Sequence, residues 1–196
     1  ANITRWLPSN FNLSEIFELH GLMAAYLNRY TQPVDLYNLR HSAELLWRNA
    51  TQGDKKLHYL GNYSRFLPKM LNPSLQGYFQ TLTKRDLFIA EMDAALEHWD
   101  VWICPVAATT AFTHRPAWSA INIDDRAYPH ATANGIYLLP FNVSGQQAVV
   151  IPIGQTQAGL PIGLQIIGKR WQEMELLSIA QEIDKVIGHF RQPVGY

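Results

Sequence analysis

Gly159-Leu160-Pro161-Ile162-Gly163-Leu164-Gln165-Ile166-Ile167-Gly168 is the stretch on which the fold turns. Its apolar run, Ile162–Ile167, is short and bounded by glycine and proline, which predicts a strand. A second apolar run, Ala148–Ile153, lies just upstream, and Gln155–Gly159 between them has the length and composition of a hairpin connection. Both runs are apolar at successive positions, so both faces of each strand need cover; this places them inside a sheet flanked by helices. Pro152 has no N–H to give to a ladder and therefore marks an edge or a local break. Further upstream, Val101-Trp102-Ile103-Cys104, stopped by Pro105, reads as a third buried strand.

Helical periodicity surrounds these runs. Ile16, Leu19, Leu22, Met23, Tyr26 and Leu27 predict an amphipathic helix from Asn12, capped by Asn12 or Ser14, with Pro33 beyond its end. A second helix is expected over about Val34–Ala50, and residues 51–71 are polar and broken by Gly53, Gly61 and Pro68. The longest helix is expected to start at Asn72-Pro73, a capping residue followed by a proline suited to the first helical position. It carries Leu75, Tyr78, Phe79, Leu82, Ile89, Met92 and Leu96 as a stripe and, run to His98, would be on the order of 40 Å long. A loop rich in Thr, Pro and aromatic residues is expected over roughly 105–130, a short helix around 131–140, and a turn at Phe141–Gly145. The last helix, about Gln172–Ile187, is expected to bury Met174, Leu177, Ala180, Ile183 and Val186, with Gly188 as its C-cap. Helices come first, then strands mixed with helices. The expected architecture is a single α/β domain over 1–196, helical in 1–97, with helices packed on a mixed, twisted sheet.

Composition narrows the function classes. The 196 residues are 47% hydrophobic and 16% charged, a globular composition. Sixteen basic residues balance 16 acidic ones, which gives no electrostatic reason to expect nucleic acid or an anionic membrane as partner. No apolar run approaches the roughly 20 residues that span a bilayer. The single cysteine, Cys104, permits no internal disulfide and fits a reducing, cytoplasmic setting. Five N-x-S/T sequons, at Asn2, Asn12, Asn49, Asn62 and Asn142, matter only in a secretory pathway, and with no signal segment to support them they read as coincidence. Ala1 in place of an initiator Met suggests processing, trimming or a chain cut from something longer.

The last hundred residues resemble, in order, the closing segments of amidase-signature enzymes. Asp100-Val-Trp-Ile-Cys-Pro105 is similar to the family's strand after a long helix, Phe141-Asn-Val-Ser-Gly145 to its FN–TG turn, Ala148-Val-Val-Ile-Pro-Ile-Gly154 to its next strand, and Gly159–Gly168 to its GLPvGlQliG strand; Glu175-Leu-Leu177 also matches. The likeness is strong over about 98–187 and vague over 1–97. It implies hydrolysis of an amide C–N bond through a serine acyl-enzyme, with a second serine and a lysine as the activating groups and backbone N–H donors for the oxyanion. The sequence holds no Ser-Ser dipeptide and no Gly-Gly-Ser run, and its six lysines stand in none of the family's catalytic contexts. No catalytic residue is carried over. What the resemblance implies is pocket wall: the loop after Cys104, with Thr109, and Phe141, Asn142, Ser144 and Gly145. In relatives that release ammonia from glutamine for charged tRNA, an acidic residue stands just upstream of this turn. Gly135 occupies the matching position, which suits a glutamine-type substrate poorly.

Plainer roles compete for these residues. Asn142 and Ser144 are also ordinary turn formers that bond neighbouring backbone. Cys104 at a strand end reads as a small hydrophobe. His98, His114 and His130 read as surface histidines, and no pair has metal-ligand spacing, so neither metal nor cofactor is expected. Asp100 is expected to cap a helix or pair with Arg85, and Trp102 and Phe112 to line an apolar pocket or to pack the core. The sequence thus points to the C-terminal portion of an amidase, inactive alone and completed by an N-terminal portion carrying the serine. The alternative is a non-catalytic binding domain derived from an amidase, with its strand edges covered by a homodimer partner. A lone hydrolase with chemistry of its own has no G-x-S-x-G elbow to support it.

Overall fold

The computed structural model describes residues 11–31, 74–114 and 120–188. The helix expected over Val34–Ala50, the polar segment 51–71 and the residues Asn72 and Pro73 themselves lie outside the described residues. The elements are α1 (Leu13–Thr31), α2 (Leu75–Leu96), β1 (Trp102–Pro105), β2 (Ile121–Ile123), β3 (Arg126–Tyr128), α3 (His130–Gly135), α4 (Leu139–Ser144), β4 (Ala148–Gln155), β5 (Pro161–Ile167) and α5 (Glu173–Ile187).

The quoted stretch forms the middle of a three-stranded sheet in the order β1-β5-β4. Both pairings are antiparallel, with Ile103 and Val149 opposite Ile166 on either side, and Cys104 and Val150 opposite Gln165. The α/β class stands; the mixed sheet shows no parallel pair among the described residues. The β4–β5 connection is the expected hairpin, closed by Thr156 N–H to Leu160 O and Gly159 N–H to Thr156 O, with Gly159 at φ 77°. Pro152 sits in β4, an edge strand of this sheet, and the register slips between Pro152 and Gly154. The edge and the bulge together accommodate the missing donor.

Alternation along β5 splits the core into two layers. On one face Ile166, with Ile151 of β4, packs against Leu176 and Ala180 of α5, flanked by Val101, Val149, Leu164, Ile183 and Ile187. On the other, Ile167 packs with Met92 of α2 and Phe141 of α4, beside Trp102 and Cys104. A third cluster joins α1 to α4 through Ile16, Phe17, Leu19, Leu139 and Val143. The sheet therefore lies between α5 on one side and α1, α2 and α4 on the other.

Three expectations are corrected by this packing. In α5 the buried stripe is Leu176 and Ala180, with Ile183 and Ile187 packed against them, whereas Met174, Leu177 and Val186 are 78%, 46% and 87% exposed. Both stripes have helical spacing. The one that wins runs beneath Gly168, where an added Cβ would stand 3.1 Å from the Leu176 side chain. In α2 the N-cap is Ser74, whose Oγ accepts from Gly77 N–H at 3.0 Å, and only part of the stripe is buried: Met92 and Leu96 are, Leu75 and Phe79 are not. The helix expected around 131–140 is divided into α3 and α4, with Pro140 in the first turn of α4, where its missing donor costs no helical bond. Asn12 caps α1 as expected, its Oδ1 accepting from Ser14 N–H at 3.0 Å. Leu27 stays 56% exposed.

Ile166 is wholly buried at the centre of the sheet, so Ile166→Ala should lower the unfolding free energy by about 2–5 kcal/mol. Val186→Ala should change it by under about 0.5 kcal/mol. Urea denaturation followed by circular dichroism checks both; equal effects would contradict the packing described.

Candidate functional site

The candidate residues lie where β1 and α4 meet the end of β5. β1 feeds the loop 106–114, which docks on α3 through Ala108 N–H to Ala133 O at 3.1 Å. The expected long loop is not structureless: it contains the β2–β3 hairpin, whose two-residue turn places Asp124 at φ 47° and Asp125 at φ 62°. Two successive positive φ angles match the twist of a tight hairpin, and Asp tolerates them better than most side chains.

Phe141–Gly145, expected as a turn, is the end of α4. Gly145 forms its C-cap at φ 78°, its N–H donating to Phe141 O at 2.7 Å, and the positive φ is what the glycine is for. The helix sorts the candidates by face. Phe141 and Ser144 are buried, at 6% and 0% exposure, while Asn142 and Gly145 are exposed and Thr109 is half-buried. Phe141 meets Trp102 edge-on at 5.5 Å between ring centroids, and Trp102 also packs on Phe11, so Trp102 is core. Phe112 instead stands against the His130 ring and is partly exposed. Ser144 Oγ donates to Pro140 O at 2.8 Å and also meets Gln146 Oε1, so it reaches no surface. Among the described residues no hydrogen bond joins Thr109 to Asn142 or Gly145.

Two features escaped the sequence. Gln165 is 2% exposed, and its Nε2 donates to Pro105 O at 2.9 Å and Tyr137 O at 2.8 Å, with Cys104 Sγ at 3.2 Å. One amide thus ties the start of the loop after β1 to the junction of α3 and α4. Its place in an apolar strand was the signal: a lone amide between Leu164 and Ile166 must find partners inside. The second is a polar chain between α2 and α4. Gln146 Nε2 donates to Asp93 Oδ1 at 3.1 Å, and Arg170 grips both Asp93 oxygens, its Nε at 3.0 Å. Arg85 Nε donates to Val143 O at 3.0 Å, and the expected Asp100–Arg85 pairing is not formed. These partners lie 53 to 77 residues apart, beyond any local pattern.

Cys104 is a free, half-buried cysteine in β1. Burial pushes its thiol up to about 11, opposed only in part by the Gln165 hydrogen bond. Among the described residues no group of three His, Cys, Asp or Glu stands close enough to hold a metal ion.

An antiparallel hairpin, buried mainly at the C-terminal end of β5 and flanked by helices on both faces of its sheet, makes this an α/β fold. The family model for amidases matches residues 24–177, and the chain belongs to that family. The match reaches well upstream of residue 98, where the motifs begin. A fatty acid amide hydrolase from Medicago truncatula is 35% identical over 98 residues, covering 50% of this chain and 16% of that protein. A glutamyl-tRNA(Gln) amidotransferase component from Psychrobacter cryohalolentis is 34% identical over 122 residues, covering 59% and 23%. The chain thus spans under a quarter of the length of these two relatives. Among solved structures, an amidase superposes with TM-score 0.62 at 18% identity over 90% of this chain and 36% of its own, and a bacterial aryl acylamidase with TM-score 0.56 at 14% identity over 90% and 34%. These likenesses establish the fold.

Gln165→Leu should remove a buried amide's bonds to the Pro105 and Tyr137 carbonyls and lower stability by about 1–3 kcal/mol, read from urea denaturation. A loss below about 0.5 kcal/mol would show that the clamp carries little. With its pKa raised, Cys104 should hold only about a thousandth of its thiol as thiolate at pH 8. Iodoacetamide labelling of the folded chain should rise about tenfold per pH unit towards pH 11. Labelling at the urea-unfolded rate near pH 8 would contradict this.

Proposed function

We propose that this chain is the C-terminal portion of an amidase-type hydrolase, whose assembled form cleaves a small amide through a serine acyl-enzyme with the nucleophile on an N-terminal portion. The observation that supports this most is the sheet. Its outer strands each have a neighbour on one side only among the described residues, and its apolar surface is incompletely covered: Ile103 is 45% exposed, Val150 55%, Ile153 39% and Ile162 37%. Uncovered edges and apolar faces of this kind are aggregation hazards unless another polypeptide packs on them.

Within such an assembly, Thr109, Asn142 and Gly145 face the substrate, with Phe141 and Ser144 behind them as support. Their part is to shape the pocket, exclude water and hold the substrate carbonyl for attack, while the oxyanion donors, like the nucleophile, come from the N-terminal portion. Gly135, at the end of α3, leaves the wall uncharged where a glutamine substrate would want a carboxylate. An apolar or aryl amide therefore suits the wall better than glutamine. The single cysteine goes with a cytoplasmic setting, and among the described residues no helix is long and apolar enough to cross a membrane. A homodimer of a non-catalytic domain would cover the same edges, and the experiment distinguishes the two.

The chain alone should show no turnover of small aryl or aliphatic amides, whereas the chain together with its N-terminal amidase portion should turn them over. In that assembly Asn142→Ala should lower kcat/KM about tenfold, roughly 1.4 kcal/mol. Turnover by the pure chain would refute the division of labour. A stable homodimer in native mass spectrometry that melts cooperatively and ignores the N-terminal portion would favour the binding domain.

A further inference from the structure

We infer that Arg85 and Asp93 are positioning residues that hold the substrate-facing end of α4 from behind, an inference that rests on the function proposed above. The two stand two turns apart on α2, and each reaches the same short segment. Arg85 donates to Val143 O, a carbonyl in the last turn of α4, where helical partners run out. Asp93 accepts from Gln146 Nε2, and Gln146 Oε1 meets the buried Ser144 Oγ. Between these anchors lies Gly145, in the left-handed conformation that turns the chain out of the helix. The segment that carries Asn142 and Gly145 to the surface is thus fixed on its inner side by one cation and one carboxylate.

The chemistry fits positioning better than plain stability. α4 spans six residues, Leu139–Ser144, too short to hold its own geometry without outside bonds. Gln146 is 7% exposed, so its amide needs buried partners, and the carboxylate gives it a fixed, charge-assisted one. Arg170 bonds both oxygens of Asp93 and keeps the carboxylate from turning away; Asp93 in return raises the Arg170 pKa further. Neither Arg85 nor Asp93 belongs to the segments that resemble the family's motifs.

The test uses amide hydrogen exchange by NMR on the whole chain, with Asp93→Asn and Arg85→Gln beside the conservative Arg85→Lys. Exchange at the Gly145 N–H should speed up at least tenfold in the first two, while Ile166 N–H at the sheet centre keeps its rate, and Arg85→Lys should recover part of the protection. In a Gln146→Ala background, Asp93→Asn should add little, because its effect passes through Gln146. In the assembled enzyme Asp93→Asn should raise KM about five- to tenfold with kcat within twofold. Unchanged exchange at Gly145, or Gly145 and Ile166 speeding up together, would overturn the inference, as would a fall in kcat at constant KM, the mark of a smaller folded fraction. A wild-type assembly without turnover would instead refute the proposed function, and the exchange pattern would still decide the anchor.

Discussion

The described structure depends on one strand that needs cover on both faces. β5 places Ile166 towards α5 and Ile167 towards α2 and α4, and both side chains are wholly buried. Burying a large aliphatic side chain stabilises a fold by about 1.5–3 kcal/mol, so a strand apolar on both faces is stable only between two layers. The same strand carries Gln165, whose buried amide can be satisfied only if the end of β1 and the α3–α4 junction come to it. Hydrophobic burial fixes the layers, and one polar side chain fixes which loops meet at the end of the sheet.

From that point the candidate wall follows. Pro140 stands in the first turn of α4 and Gly145 caps its end, so the segment is limited to less than two turns, and its faces divide the residues between support and surface. Phe141 and Ser144 serve the interior, and Asn142 and Gly145 the exterior. Apolar side chains stay exposed on β1, β4 and β5, and the chain covers about a third of each of the two solved structures it superposes on.

What the sequence made legible was whatever depends on short-range pattern. The strands around Val101–Cys104, Ala148–Ile153 and Ile162–Ile167, the hairpin between the last two, the edge position of Pro152 and the caps at Asn12 and Gly188 are all local consequences of residue type. The choice between two helical stripes in α5 was not local. Leu176 lies inside and Met174 outside because Gly168, eight residues before Leu176, gives the helix a place to approach the sheet. The short helix capped by Gly145 reads as a turn in sequence because Asn, Ser and Gly are weak helix formers that favour turns, and the burial of Ser144 depends on Pro140 and Gln146 as partners. The Arg85 and Asp93 anchors join helices far apart in the chain, and no spacing rule announces them.

The outer strand offers the most direct test. The outward N–H groups of β4, over Ala148–Gln155, have no neighbouring strand among the described residues and should exchange rapidly in the chain by itself. Hydrogen–deuterium exchange read by mass spectrometry on the peptide spanning this strand should slow by at least about tenfold when the N-terminal amidase portion is added. Identical exchange in the presence and absence of that portion would contradict the claim that this sheet is built to lie against it.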